Sequence, residues 1–176
     1  MHLNVRQASR GDVRRIAEIH VRSWQAAYRG ILPDDLLDSL SISERELSWN
    51  VLLSGDCRLT LVAERSDGAL TGFCSLATPS REEGVGEETA EIGALYVDPD
   101  HWRMGAGSAM LSAALEKLDA NGWRDAILWV LPENRPALAF YERFGFVVEQ
   151  GIEKREERSG RSVIRLRIRL PALRDA

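Results

Sequence analysis

Apolar residues along this chain follow two rhythms, alternation and a three-to-four spacing, and the switches between them mark its elements. The segment "LNVRQA" (residues 3–8) reads as a short strand. Ser9 followed by Asp12 makes a capping-box-like helix start, with Asp in place of the usual Glu. From Val13 onward, Ile16, Ala17, His20, Trp24, Ala27, Tyr28 and Ile31 recur at spacings of three and four. That is the stripe of one long helix, which Gly30 and Pro33 then punctuate. A second helical pair, at about 34–40 and 43–53, ends at "SGD".

Two β-type runs follow, "CRLTLVAE" and "ALTGFCSLAT", joined by "RSDG", which has the chemistry of a hairpin turn. Residues 79–88, "PSREEGVGEE", are polar and glycine-containing and predict a mobile surface loop. "TAEIGALYV" (residues 89–97) is apolar on both alternating faces apart from Glu91, as a central strand should be. A helix over 105–121 carries Met110, Leu111, Ala114, Leu115 and Leu118 on one side and stops at Gly122. Then come a strand "AILWVL", a helix at about 136–144 and closing strands near 146–154 and 161–170.

With the helical pair counted once, the order is β-α-α-β-β-β-α-β-α-β-β, an α/β or α+β arrangement of helices around a mixed sheet. No repeat or linker interrupts it, so one domain over residues 1–176 is expected, long enough for a core of its own.

Composition narrows the function. A formal charge of −4 argues against a general nucleic-acid binder, which would carry a basic surplus. The apolar runs are far shorter than a membrane span, and the opening residues lack the apolar region of a secretion signal, so the cytoplasm is the expected compartment. Cys57 and Cys74 are too few for a disulfide framework and lack zinc-site spacing; buried thiols are expected.

The stretch "LYVDPDHWRMGAGSAML" carries the chemistry. It runs from a strand through a turn into a helix whose mouth holds Gly105 and Gly107. The first N–H groups of a helix lack partners and sit at the positive end of its dipole, where a phosphate binds well. Glycines let the phosphate approach the backbone, and Arg103 adds a charge. A tight turn would use the same glycines. A dinucleotide fingerprint fails because Met110 stands where a third small residue is needed, and Walker A fails because no G-K-[ST] follows.

"AEIGALYVDPDHWRMGAGSAML" resembles the acyl-CoA-binding motif of the GNAT superfamily of N-acetyltransferases, a strand followed by [QR]-x-x-G-x-[GA] at a helix start. Trp102 takes the place of the Gln or Arg, which departs from the pattern at one phosphate-side contact. "LWVLPENRPALAFYERFGF" is similar to the family's later N-x-x-A-x-x-F-Y-x-x-x-G-F segment. The likeness extends over about residues 3–170 and implies a mixed, mostly antiparallel central sheet flanked by helices. It also implies acetyl-CoA as co-substrate, with no metal needed.

By this resemblance Leu95, Tyr96 and Val97 bind the pantetheine arm, with an oxyanion donor near Leu95. Arg103, Met104, Gly105, Ala106, Gly107 and Ser108 cradle the pyrophosphate. Asn134, well placed to cap its helix, also contacts the arm.

Acyl transfer needs a neutral amine, so a base must take a proton. Glu91, a carboxylate in an apolar strand, is the first candidate, with an edge position or an arginine pair as the bland alternative; His20 and His101 are weaker ones. Tyr141 resembles the family's general acid, although it is also a plausible core aromatic beside Phe140 and Phe144. A covalent route through Cys74 is unsupported.

Trp24 and Tyr28, four apart on one helix face, are candidates for the acceptor pocket or for core packing. Glu82, Glu83, Glu87 and Glu88 either steer a cationic amine or form a solvated loop. Arg165, Arg167 and Arg169, alternating with apolar residues, predict a half-buried strand whose charged face discourages edge pairing. The expected function is acetylation of a small-molecule primary amine, by a protein without nucleic-acid or membrane partners. Homodimers are common among similar proteins. A peptide or protein amine, a non-catalytic acyl-CoA sensor and a pure interaction module are the competing readings.

Overall fold

The computed structural model describes residues 3–55 and 58–170; Cys57 lies outside them. β1 (Leu3–Gln7) leads to α1 (Val13–Tyr28), α2 (Asp34–Asp38) and α3 (Ile42–Leu53), then to β2 (Arg58–Arg65), β3 (Leu70–Ala77) and β4 (Thr89–Val97). The order then runs α4 (Ala106–Ala120), β5 (Asp125–Val130), α5 (Arg135–Arg143), β6 (Val147–Arg155) and β7 (Ser162–Arg169). The strands form one sheet in the order β1-β2-β3-β4-β5-β7-β6, antiparallel throughout except between β4 and β5.

Side-chain alternation splits the core into two layers. Leu61 and Ala63 of β2 pack with Met110, Leu111 and Leu115 of α4, whereas Val62 packs on the opposite face with Ile16, Ile19 and Trp49 of α1 and α3. Burying each such large side chain contributes about 2 kcal/mol.

Local chemistry sets several element ends as expected. The Asp12 carboxylate accepts the Ser9 N–H at 2.7 Å and the Ser9 hydroxyl at 2.9 Å. Arg6 grips the same carboxylate and holds it down to about 2. The β2–β3 turn closes through Gly68 at φ +83° and through Asp67, whose side chain accepts the Ala69 N–H. Asn134 caps α5 by accepting the Ala137 N–H at 3.2 Å.

β7 corrects the expectation of a strand that must guard an edge. It slots between β5 and β6, and the outer strand is β6. Arg165, only 6% exposed, and Arg167 both donate to Glu149 of β6. Burial alone would raise the Glu149 carboxyl, but the two guanidiniums outweigh it and hold it below the usual carboxylate range.

β4 stands fourth of seven, as its apolar pattern predicts, but it pairs with β5 only over Thr89, Ala90 and Glu91. On its other side the register passes from Leu76↔Ile92 to Ser75↔Ala94, so Gly93 is the extra residue of a bulge. Beyond that bulge β4 stays with β3. Gly72 permits this close approach, because a Cβ there would lie 2.8 Å from the Tyr96 carbonyl and 2.6 Å from Met110 Cε.

Candidate active site

Where β4 leaves β5, a cleft of about 1310 Å³ opens between β4, β5, α1 and the starts of α4 and α5. It exceeds the usual range for a drug-sized ligand, roughly 300–1,000 Å³. The Asp98 N–H bonds back to Thr71 of β3 at 2.8 Å. By strand alternation the N–H and C=O of Leu95 and Val97 therefore face the edge that β5 has vacated. The Val97 carbonyl is taken by the Ser23 hydroxyl at 2.8 Å and by the Trp102 indole at 2.7 Å. The Leu95 main chain lines the same open edge without such side-chain partners among the described residues.

The turn into α4 is built by Asp98, which is 1% exposed. Its carboxylate accepts the Asp100 N–H at 3.1 Å and pairs with Arg15 at 2.7 Å and Arg22 at 3.2 Å. Arg103 at φ 62° and Gly105 at φ 90° then both adopt the left-handed conformation. A glycine does so freely, but an arginine there costs on the order of 1–2 kcal/mol. Such strain clusters where backbone groups are aimed at a ligand.

Gly105 offers no side-chain cap to α4, whereas Ser41 and Asn134 cap α3 and α5. Open space surrounds the position of a Cβ on Gly105. The N–H groups of Ala106, Gly107 and Ser108 thus remain at the positive end of a four-turn helix. Two buried donors on the cleft wall add to the demand for acceptors. Arg65 donates to His101 Nε2 at 3.3 Å, which leaves the proton on Nδ1, and neither that atom nor Trp129 Nε1 has a partner among the described residues. These features fit a long anionic ligand with a polar arm.

Most of the residues singled out from sequence meet in this cleft: Tyr28, Leu95, Tyr96, Val97, Arg103, Gly105, Ala106, Gly107, Ser108, Asn134 and Tyr141. Tyr141 is 9% exposed and sits edge-on to Phe140 and Phe146, and burial pushes its phenol well above its ordinary pKa. Met104 is exposed outside the wall. Glu91 lies just before it, since Ile92 is the first residue of β4 in the lining; its carboxylate accepts the Ser80 hydroxyl at 3.3 Å. Cys74 is fully buried, and its thiol is pushed up to about 12 by that burial, which makes it a poor nucleophile. The acidic loop is partly tied down, Glu82 to Lys154 and Glu88 to Arg124.

A second cavity of about 450 Å³ lies between α1, α3, β4 and the β6–β7 turn, and Gly93, Ala94 and Tyr96 line both it and the large cleft. Trp24 belongs to this second wall, and its indole donates to the Tyr96 hydroxyl at 2.9 Å. His20 also lines it, stacked 5.0 Å from Tyr96 and accepting the Trp49 indole N–H on Nδ1 at 3.1 Å. Sequence reasoning missed Asp98, the anchoring role of Trp102, and Arg45 of this second cavity. The Asp98-Pro99 pair at a turn was a visible signal for the first of these.

Comparison with known proteins bears on this geometry. A model of the acetyltransferase (GNAT) family matches residues 13–146. An uncharacterized N-acetyltransferase, YuaI, of Bacillus subtilis (strain 168) is 34% identical over 142 residues, which cover 81% of this chain and 79% of the relative. The spermidine N(1)-acetyltransferase of Thermoplasma acidophilum is 24% identical over 153 residues, 85% of this chain and 91% of the relative. In fold, the chain is similar to the crystal structure of the PaiA N-acetyltransferase from Thermoplasma acidophilum in complex with coenzyme A, with a TM-score of 0.74. That match has 24% identity and covers 94% of this chain and 98% of the other.

Proposed function

The chain belongs to the GNAT family of acetyltransferases, and from that premise we propose that it moves the acetyl group of acetyl-CoA directly to the amine of a small molecule. The observation that carries this reading is the departure of β4 from β5. It opens a cleft with a phosphate cradle on one side of a strand and a second cavity on the other, with Gly93, Ala94 and Tyr96 common to both.

Bound acetyl-CoA supplies the thioester carbonyl that the amine attacks. Ala106, Gly107 and Ser108 offer main-chain N–H groups to its pyrophosphate, with Arg103 as the adjacent cation. Leu95 presents its N–H on the open edge, where it aligns the arm and stabilises charge developing on the acyl oxygen. Asn134 borders the arm from α5. Tyr141, kept protonated by burial, donates to the departing sulfur. Glu91, standing just outside the cleft wall, takes the amine proton through intervening water. Tyr28 and Trp24 frame the acceptor.

The experiment is calorimetric titration with acetyl-CoA joined to a thiol-release screen over amines. Saturable binding with amine-dependent thiol release is expected; a protein that binds no acetyl-CoA ends the proposal. A sharper expectation concerns Arg103→Gly. Removing an L side chain from a left-handed position should stabilise the fold by about 0.5–1 kcal/mol. Losing the cation should weaken acetyl-CoA binding by roughly three- to tenfold. Thermal melts and the same titration measure the two opposite effects.

A further inference from the structure

Arg45 of α3 lines the second cavity and is half-buried, yet its Nε has no hydrogen-bond partner among the described residues, and no described carboxylate lies within ion-pair distance. Its guanidinium carbon lies over the Trp24 ring, 5.7 Å from the ring centroid. Elsewhere the chain pairs its partly buried arginines. Arg6 meets Asp12 and Glu64, Arg15 meets Asp98, and Arg165 meets Glu149. An unpaired guanidinium facing a cavity is a costly arrangement unless something that enters the cavity completes it.

The neighbours do not complete it. Glu156 shares the cavity, but its carboxylate serves its own turn, accepting the Arg158 N–H at 3.2 Å and both the N–H and hydroxyl of Ser159 at 2.7 Å. Glu157 is exposed on the rim. Arg158 adds a second positive charge, and His20 adds none, being held neutral by burial. Burial, and then Arg158, push the Arg45 guanidinium down from its ordinary pKa, and the attraction of Tyr96, Glu156 and Glu44 does not offset them.

The proposed function has Trp24 frame the acceptor, and Trp24 lines this cavity; resting on that reading, we propose that Arg45 selects an amine that also carries an anionic oxygen group, a carboxylate or a phosphate. The planar guanidinium grips that group with parallel N–H donors. The amine is thereby directed toward Gly93 and Ala94, where the two cavities meet. A polyamine such as spermidine would instead set positive charge against Arg45 and Arg158.

The test compares amino acids with their amides, phosphoethanolamine with ethanolamine, and spermidine. Each is measured by thiol release at saturating acetyl-CoA and by calorimetry on ligand-free and CoA-loaded protein. In the wild type, an anion-bearing amine should be favoured over its neutral counterpart by at least about tenfold in kcat/KM or affinity. The carboxylate and phosphate arms identify which group is used. Arg45→Met should erase that ratio mainly through KM, and Arg45→Lys should restore part of it, since the charge returns without the fork. The acetyl-CoA affinity of both variants should match wild type.

Arg45→Met should also melt no lower than wild type, because it removes an unpaired charge; if it does not fold, Arg45→Gln replaces it. Preference for amides or spermidine, a ratio unchanged in the variants, or no difference in any binding arm overturns the proposal. Failure to bind acetyl-CoA would count against the transferase reading alone, since the binding arms on ligand-free protein still judge Arg45.

Discussion

Replacing Tyr141 by Phe should lower kcat by about 10²- to 10³-fold and leave the affinity for acetyl-CoA nearly unchanged. The ring fills the same space, edge-on to Phe140 at 5.2 Å and Phe146 at 5.7 Å, so no cavity opens and the core is preserved. What disappears is one O–H in the cleft wall. With its pKa raised by burial, the phenol stays protonated across the working range; in the proposed reaction it serves the leaving thiolate as a hydrogen-bond donor, stabilising charge while it forms. An interaction made mainly in the transition state shows in kcat rather than in ground-state binding. Steady-state kinetics and calorimetry on the pair of proteins check this. A kcat within twofold of wild type would reduce Tyr141 to a packing residue.

Acid should unfold this protein through His20. Its imidazole sits among Trp24, Trp49, Phe73 and Tyr96, all with ring centroids within 6.0 Å. Burial first, and then the charges of Arg45 and Arg158, lower its pKa from 6.5 to about 3. Between those values the unfolded chain binds a proton that the folded chain refuses, so stability falls as pH drops from about 6.5 toward 3 and levels off below. The loss is on the order of 3–5 kcal/mol. Asp12 adds to it lower down: its folded pKa of about 2 lies below the ordinary 3.8, so its contribution is present above about 4 and fades as pH falls through 2. Urea unfolding midpoints at a series of pH values measure the slope. His20→Gln should flatten it between pH 6.5 and 4, even if that variant is less stable at neutral pH; an unchanged slope would place the sensitivity elsewhere.

Features that depend on a few neighbouring residues were legible in the sequence. Gly105 at the mouth of α4, the Asn134 cap and the "RSDG" turn each state their backbone requirement locally, and the structure puts them at those positions. The apolar run of β4 rightly implied a central strand, but alternation could not reveal that its pairing with β5 ends at Glu91. Nor could it place β7 inside β6, because strand order follows from which long-range pairs bury most surface. Trp102 looked like a defect in a motif; its indole bonds to the Val97 carbonyl five residues back. Arg45 was invisible for a similar reason. It lies on a helix that buries Trp49, and only the arrival of the 156–158 turn from the far end of the chain gives it a cavity to face.

The wall shared by Gly93, Ala94 and Tyr96 has a further consequence for how such a scaffold diversifies. Residues 95–108 and α5 equip one side of it, α3 and the β6–β7 turn equip the other, and α1 borders both. Because α3 and that turn are separate stretches of chain from α4 and α5, substitutions there, away from Tyr96, combine nearly additively with changes on the other side. On the proposed reading, a lineage can therefore exchange one acceptor for another by rewriting α3 and a six-residue turn, while the acetyl-CoA side is inherited untouched.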